Sequence, residues 1–265
     1  MKVLKDDIGL SIDIISDILQ NSAFDSKELD RERGVILQEI GMYLDTPDDV
    51  VFDKWQEMAF PNQPMGRSIL GKSEIIKTIT RDQVEGFMKG YYRPDKMVFS
   101  VSGNFDENNV IELIEKYFQN LPQGSEDHSP KANYQGGEFR QVKDLEQVNV
   151  ILGFEGVDFY SDLYYATAVY STVLGSGMSS RLFQEIREKR GLVYSISSYA
   201  SSFSDSGIFG VYAGTGQKEI MELIPVLCDQ LNISAKEFSE EELQRARAQF
   251  KSCLLYTSPS PRDLM

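Results

Sequence analysis

Glu32 and Glu39 are the residues whose type and spacing most invite chemistry. They lie in SKELDRERGVILQEIGMY, Ser26–Tyr43, where apolar residues recur at helical spacing. Turned at about 100° per residue, Leu29, Val35, Ile36, Ile40, Met42 and Tyr43 gather on one face. Asp30, Arg31, Gly34 and Gln38 occupy the other. Glu32 and Glu39 fall in the middle of the apolar stripe, seven positions or about two turns apart. A carboxylate among core residues is costly unless it is paired or holds a metal. One misplaced Glu reads as half of a buried ion pair with an Arg; two stacked on one face point to a site. Both side chains are then expected to face inward. Asp25 followed by Glu28 makes a capping-box-like start to the helix, and acidic residues in the first turn suit its dipole.

A second pair is Arg187 and Tyr194, also seven apart, across a helix-to-strand return in RLFQEIREKRGLVY. Read from the residues alone, Arg187 belongs to a charged helix face and Tyr194 to a sheet core. Gly175-Ser176-Gly177 precedes that helix, but it lacks the spacing of a phosphate-binding loop or dinucleotide fingerprint and reads as a tight turn. His128, the one histidine, sits in a polar stretch and is assigned nothing. Cys228 and Cys253 give neither a disulfide framework nor a metal spacing.

The elements that must hold these residues follow from periodicity. Lys5–Asn21 is an amphipathic helix, the Glu-bearing helix ends near Leu44, and another starts at Asp48-Asp49. FPNQPMGRSILG is a Pro- and Gly-rich loop. Ser73–Ile76 and Thr80–Tyr91 are short helices, the second opened by Thr80. Met97–Gly103 is strand-like and Glu107–Phe118 helical. The polar run Gln123–Gly137 reads as a linker. Beyond it come strands at Glu138–Val142 and Gln147–Phe154, a helix at Leu163–Leu174, and a helix from about Ser179 to Lys189. Paired strands at Ser195–Ser202 and Ile208–Gly214 precede helices at Lys218–Leu231 and Ser239–Lys251. Phe24–Arg33, FDSKELDRER, aligns without gaps to Phe238–Arg247, FSEEELQRAR. Glu32 there meets Ala246, so a duplicated scaffold carries the acids in one copy only. CLLYTSPSPRD, Cys253–Asp263, breaks the helical pattern and resembles the translation of a sequencing-library adapter, a non-native tail.

The chain has 265 residues, 41% hydrophobic, enough for one large or two ordinary domains. Its net charge of −14, from 27 basic and 41 acidic residues, argues against nucleic-acid binding; it would favour basic partners such as cationic peptides, and solubility alone explains it equally well. No apolar run has the length of a membrane span, and the opening residues do not read as a signal peptide, which says little for a piece of a longer protein. The sequence names no compartment.

The run LDRERGVILQEI, with VLKDD and ILQNSAFD ahead of it, resembles the distal part of the active site in pitrilysin/insulinase-type zinc peptidases, in particular the bacterial and mitochondrial processing-peptidase branch. The resemblance extends to about Lys251. Such proteins carry an inverted H-x-x-E-H zinc motif and take a third zinc ligand, a Glu, from a later helix. By motif position the ligand corresponds to Glu39, and Glu32 to a Glu that assists catalysis. R-x-x-x-x-x-x-Y in the family supplies donors that hold substrate and stabilise the developing oxyanion; here these are Arg187 and Tyr194.

Only 38 residues precede Glu39, and none is histidine. The resemblance therefore implies a piece of a longer protein, with Met1 internal and two zinc-binding histidines and the general-base Glu missing. It implies an α/β fold of the α+β type: two related two-layer domains, each an antiparallel-rich sheet with helices on one face. The first, incomplete, covers 1–122; the linker is 123–137, the second domain 138–252 and the tail 253–265. The intact parent is expected to be a zinc endopeptidase acting on extended peptides or unfolded protein, as a homodimer or with a partner subunit. This piece alone is expected to be inactive. The rival expectation is a non-catalytic partner or core subunit of the same fold, distinguished by whether the upstream segment carries H-x-x-E-H. A weaker alternative is an unrelated α/β binding domain with buried ion pairs.

Overall fold

The computed structural model describes residues 1–122 and 130–256, with side chains described as far as Ser252. His128, part of the expected linker and the end of the tail lie outside the described residues. Along the chain run α1 (Ile8–Gln20), α2 (Ser26–Leu44), α3 (Pro47–Ala59), α4 (Ser73–Thr78), α5 (Arg81–Tyr91) and α6 (Glu107–Tyr117). After these come β1 (Val148–Glu155), α7 (Tyr164–Gly175), a π-helical turn (Phe183–Glu188), β2 (Val193–Ser202), β3 (Gly207–Thr215), α8 (Ile220–Ser234) and α9 (Glu240–Tyr256). Two compact units result: Met1–Ile40 with Leu70–Ser129, and Gly41–Ile69 with Pro130 onward. Residues 41–69 thus group with the second half, a division that the linear split at 123–137 does not contain.

In the first unit α1 packs on α6, burying Ile12 and Val110. The last carbonyls of a helix lack intrahelical donors, and α1 supplies them to the end of α6. Ser16 Oγ and Gln20 Nε2 donate to Tyr117 O at 2.9 and 2.8 Å. Arg33 of α2 does the same for the end of α4, donating to Ile76 O at 3.1 Å and Ile79 O at 2.9 Å. Thr80 opens α5 with a complete capping box, its hydroxyl accepting from Gln83 N and its own N–H donating to Gln83 Oε1.

Met97–Gly103, expected as a strand, joins no ladder among the described residues. A strand needs a partner for its backbone groups; here Phe99 packs its ring 4.6 Å from that of Phe118. Val98 is 93% exposed. Glu138–Val142 is likewise unpaired and largely exposed.

The second unit is built on an antiparallel sheet in the order β1-β3-β2. Every residue of the central β3 is buried, and its side chains alternate between two apolar layers. Phe209, Val211 and Ala213 join Leu174, Leu182, Ile186, Leu223 and Leu227 beneath the helices. On the opposite face α3 crosses the sheet, with Phe52 stacked near Tyr199 and Tyr212 and Trp55 against Tyr199. The described end of the polar run, 130–137, packs beside α3, with Gln135 N donating to Ala59 O at 2.8 Å and Asn133 tied to Gln63.

The two FxxxELxRxR copies are structurally alike. α2 and α9 each begin two residues after the Phe and each follows an amphipathic helix. Asp25 Oδ1 accepts from Lys27 N and Glu28 N, while Ser239 caps α9 with Glu242. Helix α9 continues through Tyr256, past the Cys253 at which the sequence pattern breaks. Ala246 is buried where Glu32 is exposed.

Candidate active-site residues

The structure corrects the expected orientation of the two carboxylates: Glu32 and Glu39 are both exposed. Helix α2 buries Ile40 and half-buries Leu29, Arg33, Ile36, Leu37 and Tyr43. The centre of that packed arc is shared by Arg33, whose guanidinium is committed to the α4 carbonyls. The apolar stripe is wider than the arc that packs, so its edge faces water. Glu32 and Glu39 sit on this edge, between the packed arc and Val35 and Met42, which are 45% and 72% exposed. Neither acid has an ion pair or side-chain hydrogen bond among the described residues, whereas nearby Glu28 pairs with Arg31 and Asp30 with Arg33.

At a rise of 1.5 Å per residue the two acids stand about 10 Å apart along α2, too far to grip one ion together. Catalytic zinc takes three protein ligands. No group of three or more His, Cys, Asp or Glu side chains that could hold a metal occurs among the described residues. The residues present therefore do not make a zinc site by themselves.

In the second unit the expected helix at 179–189 is largely a π-helical turn, a form found often at functional sites. It carries Ile186 into the core beside Leu182, the residue before the turn, and leaves Arg187 exposed. Neighbouring Lys189 and Arg190 both bind Glu185, holding its carboxyl below the usual range. Arg187 is left with no carboxylate partner among the described residues, its guanidinium 4.6 Å over the Phe183 ring. Gly191, at φ 64°, reverses the chain into β2.

Tyr194 is not in the sheet core. Val193 pairs with Thr215 and Ser195 with Gly214, so Tyr194 is the extra residue of a β-bulge. Such bulges re-aim a side chain, and this one leaves Tyr194 66% exposed. The sequence does hold a trace of it: Val193 and Ile196, both buried, are three apart where alternation demands an even spacing.

Tyr194 borders a depression of about 520 Å³ lined also by Pro47, Leu145, Glu146, Gln147 and Asn149, residues that the sequence did not single out. Tyr212 OH donates to Asn149 Oδ1 at 2.8 Å. Burial raises the Tyr212 hydroxyl above its ordinary range, and the Asp48 charge adds to the rise.

An Insulinase (Peptidase family M16) model matches residues 1–73, and a model described as Peptidase M16 inactive domain matches residues 78–250. A Rickettsia bellii protein described as an uncharacterized zinc protease is 40% identical over 254 residues, covering 96% of this chain and 62% of its own length. A Bacillus subtilis protein of the same description is 34% identical, covering all of this chain and 65% of its own. The chain thus spans under two thirds of these relatives. Among solved structures, a protease from Helicobacter pylori superposes with a TM-score of 0.83 at 21% identity, over 98% of this chain and 65% of that one. A peptidase M16 inactive domain from Pseudomonas fluorescens gives 0.81 at 20%, over 98% and 63%. These likenesses confirm a mixed fold of helices and antiparallel sheet. No helix among the described residues is long and apolar enough to cross a membrane.

Proposed function

The chain belongs to the insulinase family, peptidase family M16, and on that footing we propose that it is the distal part of a zinc-dependent endopeptidase acting on extended peptides. Glu39 supplies one zinc ligand and Glu32 the electrostatic support behind it; the remaining ligands lie outside this sequence. Glu39 would be among the residues that hold the metal, and a zinc bound there would supply a Lewis acid for a peptide carbonyl and for a water. The observation that carries the reading is the edge of α2. Two acids stand there unpaired and exposed between packed residues and the uncovered Val35 and Met42. An apolar rim around free carboxylates suits a face that another segment covers, and covering it would desolvate and strengthen the acids as ligands.

Arg187 and Tyr194 are the donors of this scheme. An unpaired guanidinium can hold a peptide carbonyl or carboxylate, and a phenol aimed by a bulge can donate to the charge developing on a scissile carbonyl. A second reading, a non-catalytic partner or core subunit, is favoured by the match of residues 78–250 to a model described as Peptidase M16 inactive domain.

The chain alone is expected to show no chelator-sensitive cleavage of unfolded protein, and the full-length parent to show it. Chelator-sensitive proteolysis by the 265 residues alone would overturn the assignment of missing ligands. A parent that carries H-x-x-E-H upstream and still cleaves nothing would favour the partner-subunit reading.

A further inference from the structure

Arg245 pairs with Glu241, four residues before it on the same helix. At the same interval before Arg187 stands Phe183, and the guanidinium carbon lies 4.6 Å from the centre of its ring. We propose that Phe183 is a positioning residue: its ring holds the Arg187 guanidinium ready and leaves the N–H donors free for a peptide carbonyl or carboxylate, which rests on the reading of Arg187 as a donor to substrate. A carboxylate at 183 would engage the N–H groups that substrate needs, since it takes the guanidinium fork two donors at a time. A ring face attracts the cation as a whole through its quadrupole and needs no N–H aimed at an oxygen.

Both ends of the contact are fixed. Phe183 is half-buried and packs against the apolar core of the second unit. The backbone at Arg187 is pinned at the return into β2, with Gly191 N donating to Arg187 O at 3.0 Å and Leu192 N to Ile186 O at 3.1 Å. Of the two carboxylates in the turn, Glu185 is taken by Lys189 and Arg190. Glu188 is exposed and makes no ion pair among the described residues. A long side chain gives up rotamer freedom when it binds, and one already held gives up less. Leucine at 183 would keep an apolar group against the core and lose the attraction for the cation.

The test separates holding from packing. In the 15N-labelled 265-residue chain, the Arg187 Nε–H signal is identified by its loss in Arg187→Lys. It is expected upfield of the other arginine side chains through the ring current of Phe183. Phe183→Leu should return it to their range, and Phe183→Tyr should keep it shifted. In the full-length parent, Phe183→Leu should raise KM for a fluorogenic peptide by about two- to fivefold, the size of an exposed cation–π contact. There kcat should stay unchanged and Phe183→Tyr should behave as wild type. In an Arg187→Met background Phe183→Leu should add nothing. An unshifted signal in the wild type, the same shift in Phe183→Leu, or an unchanged KM would overturn the proposal. So would an equal effect of Phe183→Leu with and without Arg187, which would leave Phe183 a packing residue alone. A parent without zinc-dependent cleavage would sink the peptidase reading and leave the NMR result to decide whether the ring holds the cation, so the two failures are distinct.

Discussion

Gly153 and Gly210 are partners across β1 and β3, and the indole of Trp55 lies over both. A Cβ at Gly153 would overlap Trp55 Nε1, and one at Gly210 would approach Trp55 Cη2 at 3.1 Å. The missing side chains make the slot by which α3 docks on the sheet, and α3 opens with Pro47 at the border of the depression. Gly153→Ala should destabilise the second unit by about 1–3 kcal/mol, the scale of overpacking, and Gly210→Ala by less. Urea unfolding followed by fluorescence of the single tryptophan reads this directly; an unchanged midpoint for Gly153→Ala would place Trp55 elsewhere.

The same packing leaves Trp55 Nε1 and Tyr199 OH without partners among the described residues, and burial pushes the Tyr199 hydroxyl up. A buried unsatisfied hydroxyl is a cost that its removal relieves. Tyr199→Phe is therefore expected to raise stability by about 1 kcal/mol in the same urea experiment. A loss of that size would mean that the hydroxyl has a partner in solution.

Arg181 binds Glu242 through both oxygens, at 2.9 and 2.7 Å, with both side chains largely buried. The bond to Arg181 holds the Glu242 carboxyl at about 2 against an ordinary value of 4.5, despite the opposing effect of burial. A carboxyl lowered on folding contributes stability above its unfolded value and loses it as pH falls through the folded one. About 3 kcal/mol should disappear between about pH 4.5 and about pH 2. Glu242→Gln should flatten that part of the stability–pH curve; an equally steep curve would assign the acid lability to other carboxylates.

Tyr194→Phe alters one exposed hydroxyl at a bulge, so the melting temperature should stay put. In the full-length parent, kcat for a peptide should fall by about 10²-fold, the scale of one lost oxyanion donor, with KM little changed. Unaltered kcat would remove Tyr194 from the catalytic set.

Local signals carried well into the structure. The Thr80 cap, the helix after Pro47 and the pairing of β2 with β3 rest on neighbours in sequence, and all three form. Met97–Gly103 and Glu138–Val142 have strand-like residues, but a strand exists only where another presents its backbone, which no local pattern encodes. The orientation of Glu32 and Glu39 failed to read out for a related reason. Periodicity defines a stripe, while packing chooses which part is covered, and in α2 the inward place went to Arg33 with its bonds to Ile76 and Ile79. Composition alone places Tyr194 in the sheet core, although the spacing of Val193 and Ile196 holds the bulge that turns it out.

The most direct measurement is the zinc content of the purified full-length parent, with and without Glu39→Gln, alongside the melting curve of each. Near one zinc per chain in the parent is expected, falling by about 10-fold or more in Glu39→Gln, with the fold of the metal-free proteins equally stable because Glu39 is exposed and unpaired. Undiminished zinc in Glu39→Gln, or a parent that binds none, would contradict the account.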